Sequence, residues 1–128
     1  MITRDVVTGV AGVMLTAWVG TPTSAAEPAP AAFNNHCRTC HSVKEGDHRV
    51  GPSLHNIFGA KAGSSNYAAY SQGLKSSGLT WDEATLDKFI ENPDQVIANN
   101  NMKPYKGIGD QGLRKEIVDY LKSQGSSP

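Results

Sequence analysis

Cys37 and Cys40 stand three positions apart, and His41 follows directly, in the stretch NHCRTCHSVK. Two thiols and an imidazole at this spacing suit four chemistries: a disulfide, half of a zinc site, a redox dithiol, or the covalent capture of a haem. On one helical turn, each thiol can add to one vinyl group on the same edge of a porphyrin. The next residue then carries its imidazole under the ring, where it binds iron. The rivals fit less well. Zinc wants four ligands. His36, His48 or His55 would have to complete the set, and no H-x(3–5)-H pair lies at the usual distance downstream. A redox dithiol expects a strand–helix setting, whereas the upstream chain is EPAPAA. A disulfide spanning two residues stiffens little of a domain this size. Haem leads, with the others kept as alternatives.

Iron held by His41 has a second axial position. Met1 and Met14 lie in an N-terminal segment expected to be removed, which leaves Met102 as the mature chain's methionine. It sits in the polar stretch NNNMKPY, a poor setting for a core methionine, and is favoured as a ligand over a gap-filling role. His48 and His55 compete for the position, although both read better as surface or supporting side chains. Histidine–methionine ligation raises the reduction potential relative to two imidazoles and leaves iron no open site, so the expected work is electron transfer.

The elements that must position these residues read as helices joined by long loops. A helix is expected from about Pro30 into the cysteine motif, Pro30 suiting a first turn. Residues 43–65 are glycine-rich and without period, and a short helix is expected over 70–75. TWDEATLDKFIENP is a helix with Leu86, Phe89 and Ile90 on one face. Thr80 and Glu83 are its expected capping box, and Pro93 its stop. A polar loop holding Met102 follows. The last helix runs from about Asp110 to Ser123, with Leu113, Ile117, Tyr120 and Leu121 as its stripe and Gly125 after it. No strand alternation, repeat or second domain is found, so the fold class is all-α, with about four or five helices. Loops this long need something to organise them.

Residues 1–26 read as a secretory signal peptide: Arg4, an apolar run from Val6 to Val19, then Ser24-Ala25-Ala26 as the cleavage site. Residues 27–31 are a linker, and residues 32–125 the domain. Export would bring the thiols into an oxidising compartment, where they are expected to be captured. Lys plus Arg and Asp plus Glu number 12 each, a zero net charge that argues against nucleic acid as the main partner. No stable membrane insertion is expected after cleavage.

CRTCH, VGPSLHNIFGAKAG, YAAYSQGLKSSGLTWDEATLDKFIENP and MKPY together make the chain resemble the class I cytochrome c family, near the mitochondrial and bacterial short-chain electron carriers. The likeness runs from about Ala32 to Gln124. It implies an all-α cytochrome c fold around one haem c. Cys37 and Cys40 would be the thioether links, with His41 and Met102 on the iron. The resemblance makes Pro52 the residue whose carbonyl orients the histidine ring. It makes Tyr70 and Trp81 the pair that hydrogen-bonds a haem propionate. Phe33 with Ile117 and Tyr120 would form the helix crossing that closes the fold.

The chain also departs from the mitochondrial pattern. Ala60, beside Lys61, stands where an arginine lies near the propionates. Phe89 stands where a tyrosine reaches the axial sulfur. The Met102 loop is one residue longer, and Tyr105 brings a different hydroxyl to it. The resemblance implies a periplasmic, monomeric single-electron carrier between a quinol-oxidising complex or dehydrogenase and a terminal oxidase or reductase. Arg38, Lys44, Lys61, Lys103 and Lys106 are candidate docking cations, with Lys103 and Lys106 beside the methionine loop. The alternative reading is a haem peroxidase or gas-binding sensor with a labile Met102, the triplet Asn99-Asn100-Asn101 favouring loop opening. A zinc or disulfide module is the other.

Overall fold

A computed structural model describes residues 9–15, 17, 20 and 29–125. The expected signal peptide and its cleavage site, and residues 27 and 28 of the expected linker, lie largely outside them. The described residues form five helices: α1 Ala29–His36, α2 Gln72–Ser76, α3 Glu83–Glu91, α4 Pro93–Val96 and α5 Gln111–Ser123. Among the described residues there is no strand, only an isolated antiparallel bridge between Lys61 and Thr80. No helix of the described residues is long and apolar enough to cross a membrane.

Helices this short are marginal alone in water and depend on caps and packing. α3 is capped two residues later than Thr80–Glu83 predicted. Asp82 accepts from the Thr85 N–H at 2.8 Å, and the Thr85 hydroxyl oxygen accepts from the Asp82 N–H at 2.8 Å. Thr80 serves instead through its carbonyl, which accepts from the Thr85 hydroxyl. An aspartate with a threonine three residues on closes the same reciprocal box that serine and glutamate would. Pro93 ends α3 as expected and also opens α4, where its missing N–H costs nothing. Asp110 caps α5 by accepting from Leu113 at 2.8 Å. α1 starts at Ala29, so residues 29–31 of the expected linker are helical. α2 is Gln72–Ser76 behind a Ser71 cap, slightly later than 70–75.

α5 packs across α1 and along α3. The Phe33 and Tyr120 rings meet at the first crossing, with centroids 5.2 Å apart. Ala32 and Ile117 are fully buried there. The buried positions of α5 are Arg114, Ile117, Val118 and Leu121. Arg114 is thus a charged side chain inside the stripe. Its Nε donates to Asp87 of α3 at 2.7 Å, and its Nη1 to the carbonyls of Ile108 and Gly109 at 3.0 and 2.9 Å. A buried cation is tolerated when its donors are all paired; here the pairing also ties α5 to α3. The segment before α5 passes close to the end of α3 at Gly107, whose φ is +116°. A Cβ there would lie 2.0 Å from the Glu91 carbonyl oxygen, so only glycine fits.

Candidate functional site

The helical bonding of α1 carries on through the cysteine motif. The Cys37 N–H donates to Phe33 O at 2.8 Å, Cys40 N–H to Cys37 O at 3.1 Å, and His41 N–H to Cys37 O at 3.0 Å. Both thiols and the imidazole therefore issue from one continuous turn. They line a cleft of about 190 Å³ together with Met102, Pro52, Tyr70 and Trp81. All seven sequence-derived site residues are brought to one place. His48 and His55, the competing ligands, do not line it. His48 bonds Asn66 and accepts from the Ser53 N–H, and His55 meets the Val43 carbonyl.

The cleft wall is mainly apolar, built by Leu86, Phe89 and Ile90 of α3 and Ile117 and Leu121 of α5. Residues 59–62 and 79–81 pair locally, Trp81 N–H donating to Ala60 O and Ala62 N–H to Leu79 O, both at 2.8 Å. This fixes Trp81, which is buried against Phe89 with ring centroids 5.0 Å apart. The Tyr70 hydroxyl shares a 2.6 Å hydrogen bond with Ser65 Oγ. The Tyr105 hydroxyl donates to the Ile90 carbonyl. Burial, and then the proximity of Cys37, push its phenol pKa up.

His41 is buried, and its Nδ1 lies 2.8 Å from the Pro52 carbonyl oxygen. A carbonyl only accepts, so Nδ1 carries the proton and Nε2 keeps its lone pair. Burial lowers the pKa of the ring by disfavouring the imidazolium, while the bond to Pro52 works the other way. Gly51 makes this orientation possible. A Cβ at that position would stand 2.4 Å from His41 Cε1 and 2.8 Å from Nδ1. Gly51→Ala is therefore expected to push the ring off its bond to Pro52, at an overpacking cost of about 1–3 kcal/mol. That corresponds to a fall in Tm of at least about 5 °C for a domain of this size, measurable by a thermal melt of the holoprotein.

Neither thiol is in a disulfide. Burial pushes Cys37 up to about 12, with Cys40 adding to the shift. A redox dithiol needs the opposite, an attacking thiol with a lowered pKa. Among the described residues no three His, Cys, Asp or Glu side chains converge to hold a metal ion, so the four-ligand set that zinc wants is not supplied. The surroundings suit a flat apolar group instead: a roomy apolar cleft, two thiols on one turn and an imidazole with its lone pair held ready.

Asn100 was read from the sequence as one of a polar triplet favouring loop opening, and its hydrogen bonds instead hold the loop. It is buried, 6% exposed, between exposed neighbours. Its Nδ2 donates to Asp94 Oδ1 at 2.8 Å and to Ile97 O at 2.9 Å, and its Oδ1 accepts from the Met102 N–H at 3.0 Å. Lys103, expected as a docking cation, is ion-paired with Asp94. Lys106 is exposed.

Comparison with known proteins agrees with this geometry. The family model described as Cytochrome c matches residues 26–125. A cytochrome c2 iso-2 of Magnetospirillum molischianum is 42% identical over 95 residues, covering 74% of this chain and 96% of its own. The cytochrome c2 of Rhodomicrobium vannielii is 42% identical over 92 residues, covering 69% and 70%. The solved structure of cytochrome cH from Methylobacterium extorquens aligns with a TM-score of 0.67 at 37% identity, over 74% of this chain and 94% of that one. The fold and cleft are thus those of a c-type haem protein, and the chain belongs to the cytochrome c family. Its cofactor is haem c, held covalently, and its work is electron transfer rather than catalysis.

Proposed function

We propose that the chain is exported, loses residues 1–26, and serves as a monomeric single-electron carrier in the periplasm. The haem would be held by Cys37 and Cys40, with His41 and Met102 as the two axial ligands. The cofactor supplies a ferric–ferrous couple that stores one electron. The chain's residues do the rest. Pro52 keeps the His41 ring oriented and its Nε2 unprotonated. The Met102 thioether would be the second protein ligand and would keep outside ligands away. Leu86, Phe89 and Ile90 exclude water. Tyr70 and Trp81 supply polar hydrogens to the propionates, which need donors if buried.

The observation that carries this reading is the His41–Pro52 bond of 2.8 Å, which leaves a lone pair for iron in the cleft that Met102 also lines. Electrons would come from a quinol-oxidising complex or a dehydrogenase and leave to a terminal oxidase or reductase. Docking falls near Lys103 and Lys106. Because Asp94 compensates Lys103, Lys106 is the stronger source of attraction for an acidic partner. The labile-methionine reading gains no support from a loop held by the three hydrogen bonds of Asn100.

The absorption spectrum of the oxidised, exported protein tests the proposal. A weak far-red band, produced by thioether bonding to ferric iron, is expected beside the Soret band. A Soret band without it would remove Met102 from the iron and overturn the ligation proposed here.

A further inference from the structure

The loop after α4 carries Met102 between residues that all lead to one carboxylate. Asp94 Oδ1 accepts from Asn100 Nδ2 at 2.8 Å and also receives Lys103 Nζ. Asn100 adds a donor contact to Ile97 O and an acceptor contact to the Met102 N–H. The loop is thereby tied to Asp94 of α4 by the side chains two residues before and one residue after Met102. The chemistry selects the residue type. One side chain must donate to two oxygens and accept from one N–H at short range, and only a primary amide offers both functions. A carboxylate at this position would face two oxygens, and an apolar side chain would leave the Met102 N–H and the Ile97 carbonyl without this partner. The neighbours Asn99 and Asn101 are exposed, and Asn99 takes the left-handed conformation at φ 61°. Asparagine tolerates that conformation better than most residues, so its place in the triplet is conformational.

We propose that Asn100, braced by Asp94, is the positioning residue that keeps the Met102 thioether at the iron. This rests on the reading of Met102 as an axial ligand. A thioether that leaves the metal returns quickly when its backbone is fixed beside the site, because the effective concentration stays high. When the backbone is freed, the loop samples open states and outside ligands compete. The clamp therefore governs how closed the haem is to exogenous ligands, a property separate from the strength of the thioether bond.

Cyanide binding to the oxidised, haem-loaded protein at neutral pH is the test. Asn100→Ala is expected to bind cyanide about tenfold faster than the parent or more, with a weaker far-red band. Asp94→Ala, which removes the brace and keeps the amide, is expected to give about a threefold rise. The double variant should bind no faster than Asn100→Ala alone, because both changes break one unit. Asp82→Ala, which removes the α3 cap, lowers Tm without a comparable rise and separates clamping from general destabilisation. Parent-like cyanide rates in Asn100→Ala and Asp94→Ala would overturn the clamp. If Asn100→Ala does not mature with haem, a parent-like rate in Asp94→Ala overturns it alone. Met102→Ala distinguishes the two ideas. If it keeps both the parent's far-red band and the parent's cyanide rate, the ligand reading itself falls and takes the clamp with it. If it binds much faster while the clamp variants do not, only the clamp falls.

Discussion

Met102→Ala is expected to leave the haem attached through both thioethers while the far-red band disappears and the reduction potential falls by on the order of 100 mV or more. A thioether is a soft ligand that favours ferrous iron. Replacing it by water or by a nearby imidazole shifts the balance towards ferric iron, hence the sign. The structure limits which replacement is available. His48 and His55 are held away from the cleft by bonds to Asn66, Ser53 and Val43, whereas His36 lines it. Voltammetry and the visible spectrum read the effect together. A variant with the parent's potential would show that Met102 is not on the iron.

The joint exchange Cys37→Ser and Cys40→Ser is expected to cost the fold itself, seen as a large loss of helical circular dichroism at 25 °C and no cooperative melt. The residues that line the cleft are also the core: Trp81, Leu86, Phe89, Ile90, Ile117 and Leu121 appear in both. Without the haem, their inner faces border a cavity of about 190 Å³. A cavity of roughly 150 Å³ in a protein core already costs about 4 kcal/mol, against a total stability of about 5–15 kcal/mol for a domain. Five helices of 4 to 13 residues have little intrinsic stability to set against that loss. Parent-like helicity and melting in the haem-free variant would show that the polypeptide packs its core unaided.

Some of this was legible residue by residue. Cys37, Cys40 and His41 sit on one turn, so their sequence spacing is already their geometry. Leu86, Phe89 and Ile90 followed from helical period, and all three are buried. Arg114 was not read as buried, yet its signal was present: Arg114, Ile117, Val118 and Leu121 share the i, i+3, i+4, i+7 face. What buries a charge on that face is its set of partners, Asp87 and the carbonyls of Ile108 and Gly109, which other segments supply. The Thr80 cap was misplaced because threonine and aspartate two residues apart are both favoured N-caps, and the path of the chain into α3 chooses between them.

By itself, the sequence determined what lies within one helical turn or one apolar stripe: the attachment motif and the helices. Tertiary structure decided everything that depends on segments far apart in the chain. It placed the Pro52 carbonyl on the His41 ring and required glycine at position 51 because that ring passes against it. It turned Tyr105 to the Ile90 carbonyl and paired Lys103 with Asp94. It also separated three consecutive asparagines into two exposed residues and one buried clamp. Identical side chains become different only when their surroundings differ, and those surroundings come from contacts that a linear pattern does not contain.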